Sequence, residues 1–247
     1  MLNTPLKLQK NELFKFTFKN LEQYYIAALE AGYDIISCQK YIELKKTAIK
    51  KILVARVDID VSVKKAKLIA DIFNKLGVRA TFFVRLHANE YNPFSFENYK
   101  ILKFIRDSGH EIGYHSEIID QSVIWDEEAD KCLMRDIEIL NHMLEIKLVG
   151  VASHGGMTGL NNLDFWKNKN PSDFGLLYEA YDTQPAFDLF NNSFYVSDSC
   201  WTYWKCYNNG KLCETDRRNL ADHVKDKHPI IYCLTHPETY YHEHFYE

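Results

Sequence analysis

Residues 51–60 read KILVARVDID, and this stretch decides the fold class. From Lys51 to Val57 it is dense in Ile, Leu and Val, the signature of a buried strand. That strand finishes on two carboxylates, Asp58 and Asp60, with only Ile59 between them. Side chains two apart on a strand face the same way, about 7 Å apart along it, so both acids can enter one pocket. Like charges held that close are unfavourable unless a cation or a shared proton relieves them. Two further strings end apolar runs on a histidine: HEIGYHS at 110–116 carries His115, and LTHPE at 234–238 carries His236. The pattern calls for a metal.

Outward from this strand, helix and strand signals alternate. Residues 20–31 carry apolar positions at helical spacing and stop at Gly32, a good terminator. Residues 33–37 read as a short strand and 38–46 as a short helix. Beyond the central strand come a helix over 62–76 ending at Gly77, a strand over 78–84, a helix over 96–107, a strand over 110–114, a helix over 127–144 and a strand over 147–152. This is the rhythm of a parallel sheet with covering helices. After Gly155 the rhythm breaks: 155–215 mixes loops, aromatics and hairpin strands, including 194–196. A helix over 216–226 and a last strand over 230–234 follow. No repeat, low-complexity tract or Pro/Gly-rich linker divides the chain, so 1–247 reads as a single domain with 1–50 as an N-terminal α/β extension. Functional residues in parallel α/β folds gather at the C-terminal ends of strands, and Asp58, Asp60, His115, His154 and His236 all stand at such ends.

The composition, 46% hydrophobic and 14% aromatic over 247 residues, supports a large core and excludes disorder. A net charge of −4 argues against nucleic acid or an acidic membrane as the main partner, and the lysines at Lys45, Lys46, Lys50 and Lys51 read as a solvated face. No apolar stretch approaches the roughly 20 residues of a membrane span, and the N-terminus lacks the apolar core of a secretory signal. Six scattered cysteines without a CxxC pair fit reduced thiols; the expectation is a cytoplasmic protein. Cys206 and Cys213 flank a turn at Asn208-Asn209-Gly210 and can face each other across a hairpin, the one place where the cysteines suggest a structural zinc.

Taken in order, VDID, ATFFV, GHEIGYHS and LTHPE resemble the polysaccharide deacetylase superfamily, the NodB-homology group, from about Ile52 to Pro237. The chain is similar to a branch in which an Arg-x-Asp-x-Asp string replaces the usual adjacent Asp pair. The resemblance implies a distorted (β/α)7-type barrel of parallel strands, here with an irregular aromatic-rich insertion near the C-terminus. It also implies removal of N- or O-acetyl groups from sugars with a divalent metal. By it, Asp58 takes the place of the catalytic base and Asp60 that of a metal ligand. His115 matches the first of two metal histidines, but Ile119 stands where the second belongs. His154, in Ser153-His154-Gly155-Gly156, is the substitute ligand, with Glu117 as its competitor. His236 matches the catalytic histidine after the last strand.

The donor chemistry agrees. Zinc takes His nitrogen and carboxylate oxygen and keeps an open position in catalytic sites, which Asp60, His115 and His154 would leave. Asp58 would then serve as general base and His236 as general acid. Asp198 and Trp201, in YVSDSCWTYW at 195–204, combine an acid with aromatic faces and suit a sugar; cores use aromatics too. His87, in the loop after ATFFV, is a substrate contact or a solvated loop residue. His110 and Glu111 read as scaffold, and His142, His223, His228, His242 and His244 lack partner spacing. The leading expectation is a metal-dependent deacetylase of an acetylated sugar in surface-glycan biosynthesis. The alternatives are a metal hydrolase of another amide or ester, or a catalytically silent glycan-binding or scaffold protein. The sequence leaves the oligomeric state open.

Overall fold

The computed structural model describes residues 16–44, 51–184 and 187–243. The expectations about the first fifteen residues, Lys45, Lys46, Lys50 and His244 lie outside the described residues. In chain order the elements are α1 (Phe18–Glu30), β1 (Asp34–Ile36), α2 (Cys38–Leu44), β2 (Ile52–Ile59), α3 (Val63–Leu76), β3 (Thr81–Val84), α4 (Phe96–Asp107), β4 (Glu111–Ser116), α5 (Ile118–Trp125), α6 (Ala129–Leu144), β5 (Gly150–Ser153), β6 (Tyr178–Glu179), β7 (Phe194–Ser197), β8 (Lys205–Asn208), β9 (Lys211–Leu212), α7 (Leu220–Lys225) and β10 (Ile230–Thr235).

Local chemistry sets several of these bounds. Ser62 caps α3 by accepting from the Lys65 amide at 3.2 Å, and Gly77 ends it with φ +71, a left-handed turn that favours glycine. Between these caps Val63, Ala66, Ile69, Ala70 and Phe73 form the buried stripe.

Seven strands run parallel in the order β6-β5-β4-β3-β2-β10-β7, and β8 and β9 add antiparallel beyond β7. β1 lies against the first half of β2, pairing Asp34 with Ile52, and β3 pairs with the second half from Arg56 onward. Followed along the chain, β2 to β6 and then β7 and β10 lead back to β2. The result is the distorted (β/α)7-type barrel expected from the sequence, and its distortion is a seam where β6 and β7 do not pair. Side chains bridge the seam: the Tyr181 and Tyr195 hydroxyls lie 3.2 Å apart, and Tyr232 donates to the Ala180 carbonyl at 3.3 Å.

Strand alternation separates two cores. Leu53, Ala55, Val57 and Ile59 of β2 join Phe82, Tyr114, Val151 and Cys233 under the helices. Val54, Phe83, Ala152, Tyr178, Tyr195, Tyr232 and Leu234 fill the barrel lumen. Space for the lumen aromatics comes from two glycines: a Cβ on Gly113 would stand 2.3 Å from the Phe83 ring, and one on Gly150 2.1 Å from Tyr178. Gly113→Ala is therefore expected to cost about 1–3 kcal/mol by overpacking, read as a lower midpoint in urea with an unchanged slope.

The structure departs from the sequence expectation in three places. α5 follows β4 directly where only a loop was expected. The segment expected as a helix from 216 is helical only over Leu220–Lys225. The aromatic-rich insertion holds short 3-10 turns at Asn162–Asn168, Pro171–Phe174 and Phe190–Asn192. Among the described residues no helix is long and apolar enough to cross a membrane.

Candidate active site

Parity along the strands assembles the site. Arg56 and Asp58 of β2, and Gly113 and His115 of β4, face the lumen; two residues on, past the strand ends, Asp60, His154 and His236 continue the same faces. The β10–β2 register pairs Leu234 with Arg56 and Thr235 with Val57, which delivers His236 beside Asp58. The β4–β5 register pairs His115 with Ala152, and the His154 amide donates to the Ser116 carbonyl at 2.9 Å. Four strand ends thus place their titratable groups on one rim.

Beneath the rim Arg56 is 1% exposed, so its charge needs a partner on the spot. Asp58 supplies it: Nε donates to Oδ1 at 2.8 Å and Nη2 to Oδ2 at 2.7 Å. The guanidinium also lies 4.6 Å from the Tyr181 ring and 5.3 Å from the Phe83 ring. Burial works against an ionised Asp58, but Arg56 together with His115 and His236 outweighs it and holds the carboxyl below its ordinary range.

Asp60 Oδ1 is buried and has no hydrogen-bond partner. His115 Nε2 lies 3.1 Å from it and His154 Nε2 3.9 Å. These donor atoms lie within 4.8 Å of one another. Donors on a tetrahedral zinc, each some 2.0–2.2 Å from the ion, stand about 3.4 Å apart. The second nitrogens face away from Asp60: His115 Nδ1 donates to the Ala152 carbonyl at 2.8 Å, and His154 Nδ1 lies 3.2 Å from Glu117 Oε1 as an ion-pair contact. Orientation of a ligating imidazole through its second nitrogen is the usual arrangement around protein-bound metals. An orphaned carboxylate oxygen facing two oriented imidazoles fits a divalent cation.

His236 Nε2 lies 3.8 Å from Asp60 Oδ2. Its Nδ1 is 2.5 Å from Asp198 Oδ1, and its amide donates to Asp198 at 2.9 Å. Burial would strip the proton from this ring, but Asp198, joined by Asp60 and Asp58, outweighs burial and pushes the imidazole up to about 10.

The other expected site residues lie as follows. Asp198 is 0% exposed and its carboxylate is taken up by His236, so it positions that ring. Glu117, expected as a competing ligand or a substrate contact, is buried behind His154 with Oε1 on Arg85 Nη2 at 2.7 Å. His87 is 3.0 Å from Asp136 Oδ2 and packs edge-on against Trp125 at 4.8 Å; that network runs to Tyr114 and Gln121, away from Asp60. Trp201 is 54% exposed at the turn after β7. Sequence reasoning missed a cavity of about 460 Å³ that opens beside His154, between Tyr181, Phe190, Asn161 and Asn191. Its lining comes from the irregular insertion, where no spacing rule applies. His110 is scaffold, accepting the Ala80 amide at 3.3 Å.

The fold and site define a parallel α/β barrel with three convergent candidate metal donors flanked by a buried carboxylate and a buried histidine. No protein-family model matches the chain, and no curated protein matches it. Similar solved structures include the Streptococcus pyogenes deacetylase PplD in complex with acetate, 15% identical over 55% of this chain and 61% of that one, with a TM-score of 0.45. A CE4 family pseudoenzyme from Bacillus anthracis is 18% identical over 76% of this chain and 55% of its own, TM-score 0.44. The chitin deacetylase of the fungal pathogen Colletotrichum lindemuthianum is 25% identical over 41% and 45%, TM-score 0.33. The chain spans less than two thirds of each of these proteins, and the superpositions are loose, so no residue role is carried over from them.

Proposed function

We propose that the protein is a metal-dependent hydrolase of the polysaccharide deacetylase superfamily that removes an N- or O-acetyl group from a sugar in surface-glycan biosynthesis. The observation that carries this reading is the convergence of Asp60, His115 and His154 between Asp58 and His236 on one barrel rim. Asp60, His115 and His154 would hold a divalent cation such as zinc, which would supply Lewis acidity toward the acetyl carbonyl and the attacking water. Asp58, kept ionised by Arg56, accepts the proton of that water. His236, kept cationic by Asp198, gives its proton to the leaving amine or alkoxide. The cavity beside His154 offers two aromatic rings and two amides, which suits the apolar faces and hydroxyl rim of a sugar ring. The free cysteines support a cytoplasmic setting.

The test is acetate release from a panel of N- and O-acetyl sugars, with zinc and with a chelator. The expected result is chelator-sensitive acetate from amino sugars carried on a nucleotide or lipid, and little from chitin. His236→Ala should impair the amide more than the ester, because an amine leaves poorly without a proton. No acetate from any substrate while the cation site is filled would move the reading to another hydrolysis or to a silent glycan-binding protein.

A pH dependence follows from the His236–Asp198 pair. The folded pKa of His236, about 10, lies above its ordinary 6.5. Its charge therefore adds stability that is full below about pH 6.5 and is lost as pH rises through about 10. Asp198→Asn removes the main source of the upward shift. The alkaline limb of the kcat profile is expected to move to lower pH, and the His236 ring to titrate closer to 6.5 by NMR. An unmoved limb would show that another group controls it.

A further inference from the structure

The expectation of a hairpin between Cys206 and Cys213 is met on the opposite face of the sheet from the lumen. β8 and β9 pair Tyr207 with Leu212, so the two cysteines stand opposite one another, and the Cys213 amide donates to the Cys206 carbonyl at 2.9 Å. Cys206 packs against α7, where its Sγ lies 3.4 Å from His223 Nε2. That same nitrogen is 3.6 Å from Asp216 Oδ1. The three donors fall within 4.8 Å of one another. With Zn–S near 2.3 Å and Zn–N near 2.0–2.1 Å, a sulfur and a nitrogen on one zinc stand about 3.5 Å apart. His223 is 0% exposed, and its Nδ1 has no hydrogen-bond partner. The nearest carboxylate to it is Asp226, at 3.7 Å. A fully buried imidazole so placed is already oriented as a ligand through Nε2, with an acid behind it.

We propose that Cys206, Asp216 and His223, joined by Cys213 once its thiol turns from the Lys211 carbonyl 3.9 Å away, form a second, structural cation site for a thiolate-binding metal such as zinc. The charges close: two thiolates and a carboxylate on a divalent ion leave one negative charge, and Arg218 stands beside it with Nη2 on Asp216 Oδ2 at 2.8 Å. The thiol protons pass to solvent as the metal enters. The site ties the β8–β9 hairpin and the loop at Asp216 to α7. It thereby fixes the segment directly after the 198–201 turn, which carries Asp198 and so His236. The neighbouring trio of His223 Nδ1, Asp226 and His228 is less suited, since it offers no sulfur donor.

The experiment is cobalt(II) titration of the chelator-treated full chain, followed by absorbance. The Asp60 site contains no sulfur, so a near-ultraviolet sulfur-to-cobalt charge-transfer band reports on the second site alone. The wild type is expected to bind two equivalents and to show the band. Cys206→Ser should abolish the band and one equivalent. Cys213→Ser, which leaves the buried cysteine in place, should roughly halve the band, and Asp60→Asn should retain it. Cobalt binding without the band, or a band that survives Cys206→Ser, overturns the proposal.

Discussion

Asp58→Asn is expected to retain the cation and lose turnover by a factor on the order of 10² to 10⁴, the usual reach of general acid–base catalysis. The carboxylate is buried against Arg56 through both oxygens, and it lies 3.4 Å from His115 Nε2. Asparagine keeps one acceptor oxygen but cannot take a proton, and its amide turns a donor toward the guanidinium. Breaking a buried ion pair by removing one partner costs about 3–5 kcal/mol, so a lower melting temperature should accompany the kinetic loss. The two effects separate by measuring kcat and metal content on protein shown to be folded at the assay temperature. Should Asp58→Asn shed the metal while Asp60→Asn keeps it, the roles of the two acids are reversed.

His154→Ala is expected to weaken metal binding by more than the roughly 10–100-fold that follows loss of an outer hydrogen-bond partner. The ring is one of the three donors of the proposed site, with Asp60 Oδ1 and His115 Nε2. Glu117, the competing ligand, lies behind the ring at Nδ1 with Arg85 on the same oxygen. Full metal affinity in His154→Ala would point to Glu117, whose Oε2 has no hydrogen-bond partner, as the replacement ligand, and Glu117→Gln in the same background tests that.

Much of this arrangement is legible in the chain because it is local or periodic. KILVARVDID sets β2, and period-2 alternation places Arg56, Asp58 and Asp60 on one face without any knowledge of neighbours. The Ser62 cap and Gly77 bound α3 in the same way. What stays hidden is non-local. Nothing near Asp198 in the sequence signals His236, 38 residues on, so an acid before tryptophans reads as a sugar contact. Similarly, His87 meets Asp136 across 49 residues. α5 escapes for another reason: its sequence, IIDQSVIW, starts straight after β4 with no breaker, and Glu117 at its start gives no side-chain cap bond. Val123, Ile124 and Trp125 on it are exposed, so the apolar residues do not mark a single buried stripe. β6, two residues long, is too short for any period.

The central claim, that Asp60, His115 and His154 form a divalent-cation site, is tested most directly by zinc titration calorimetry on the chelator-treated wild type, Asp60→Asn and His115→Ala. A Cys206→Ser background silences any sulfur site. The account predicts one tight equivalent in the parent, abolished or severely weakened in both variants while their folded far-ultraviolet spectra persist. No tight zinc binding by the folded parent, or equal binding by folded variants, would contradict it.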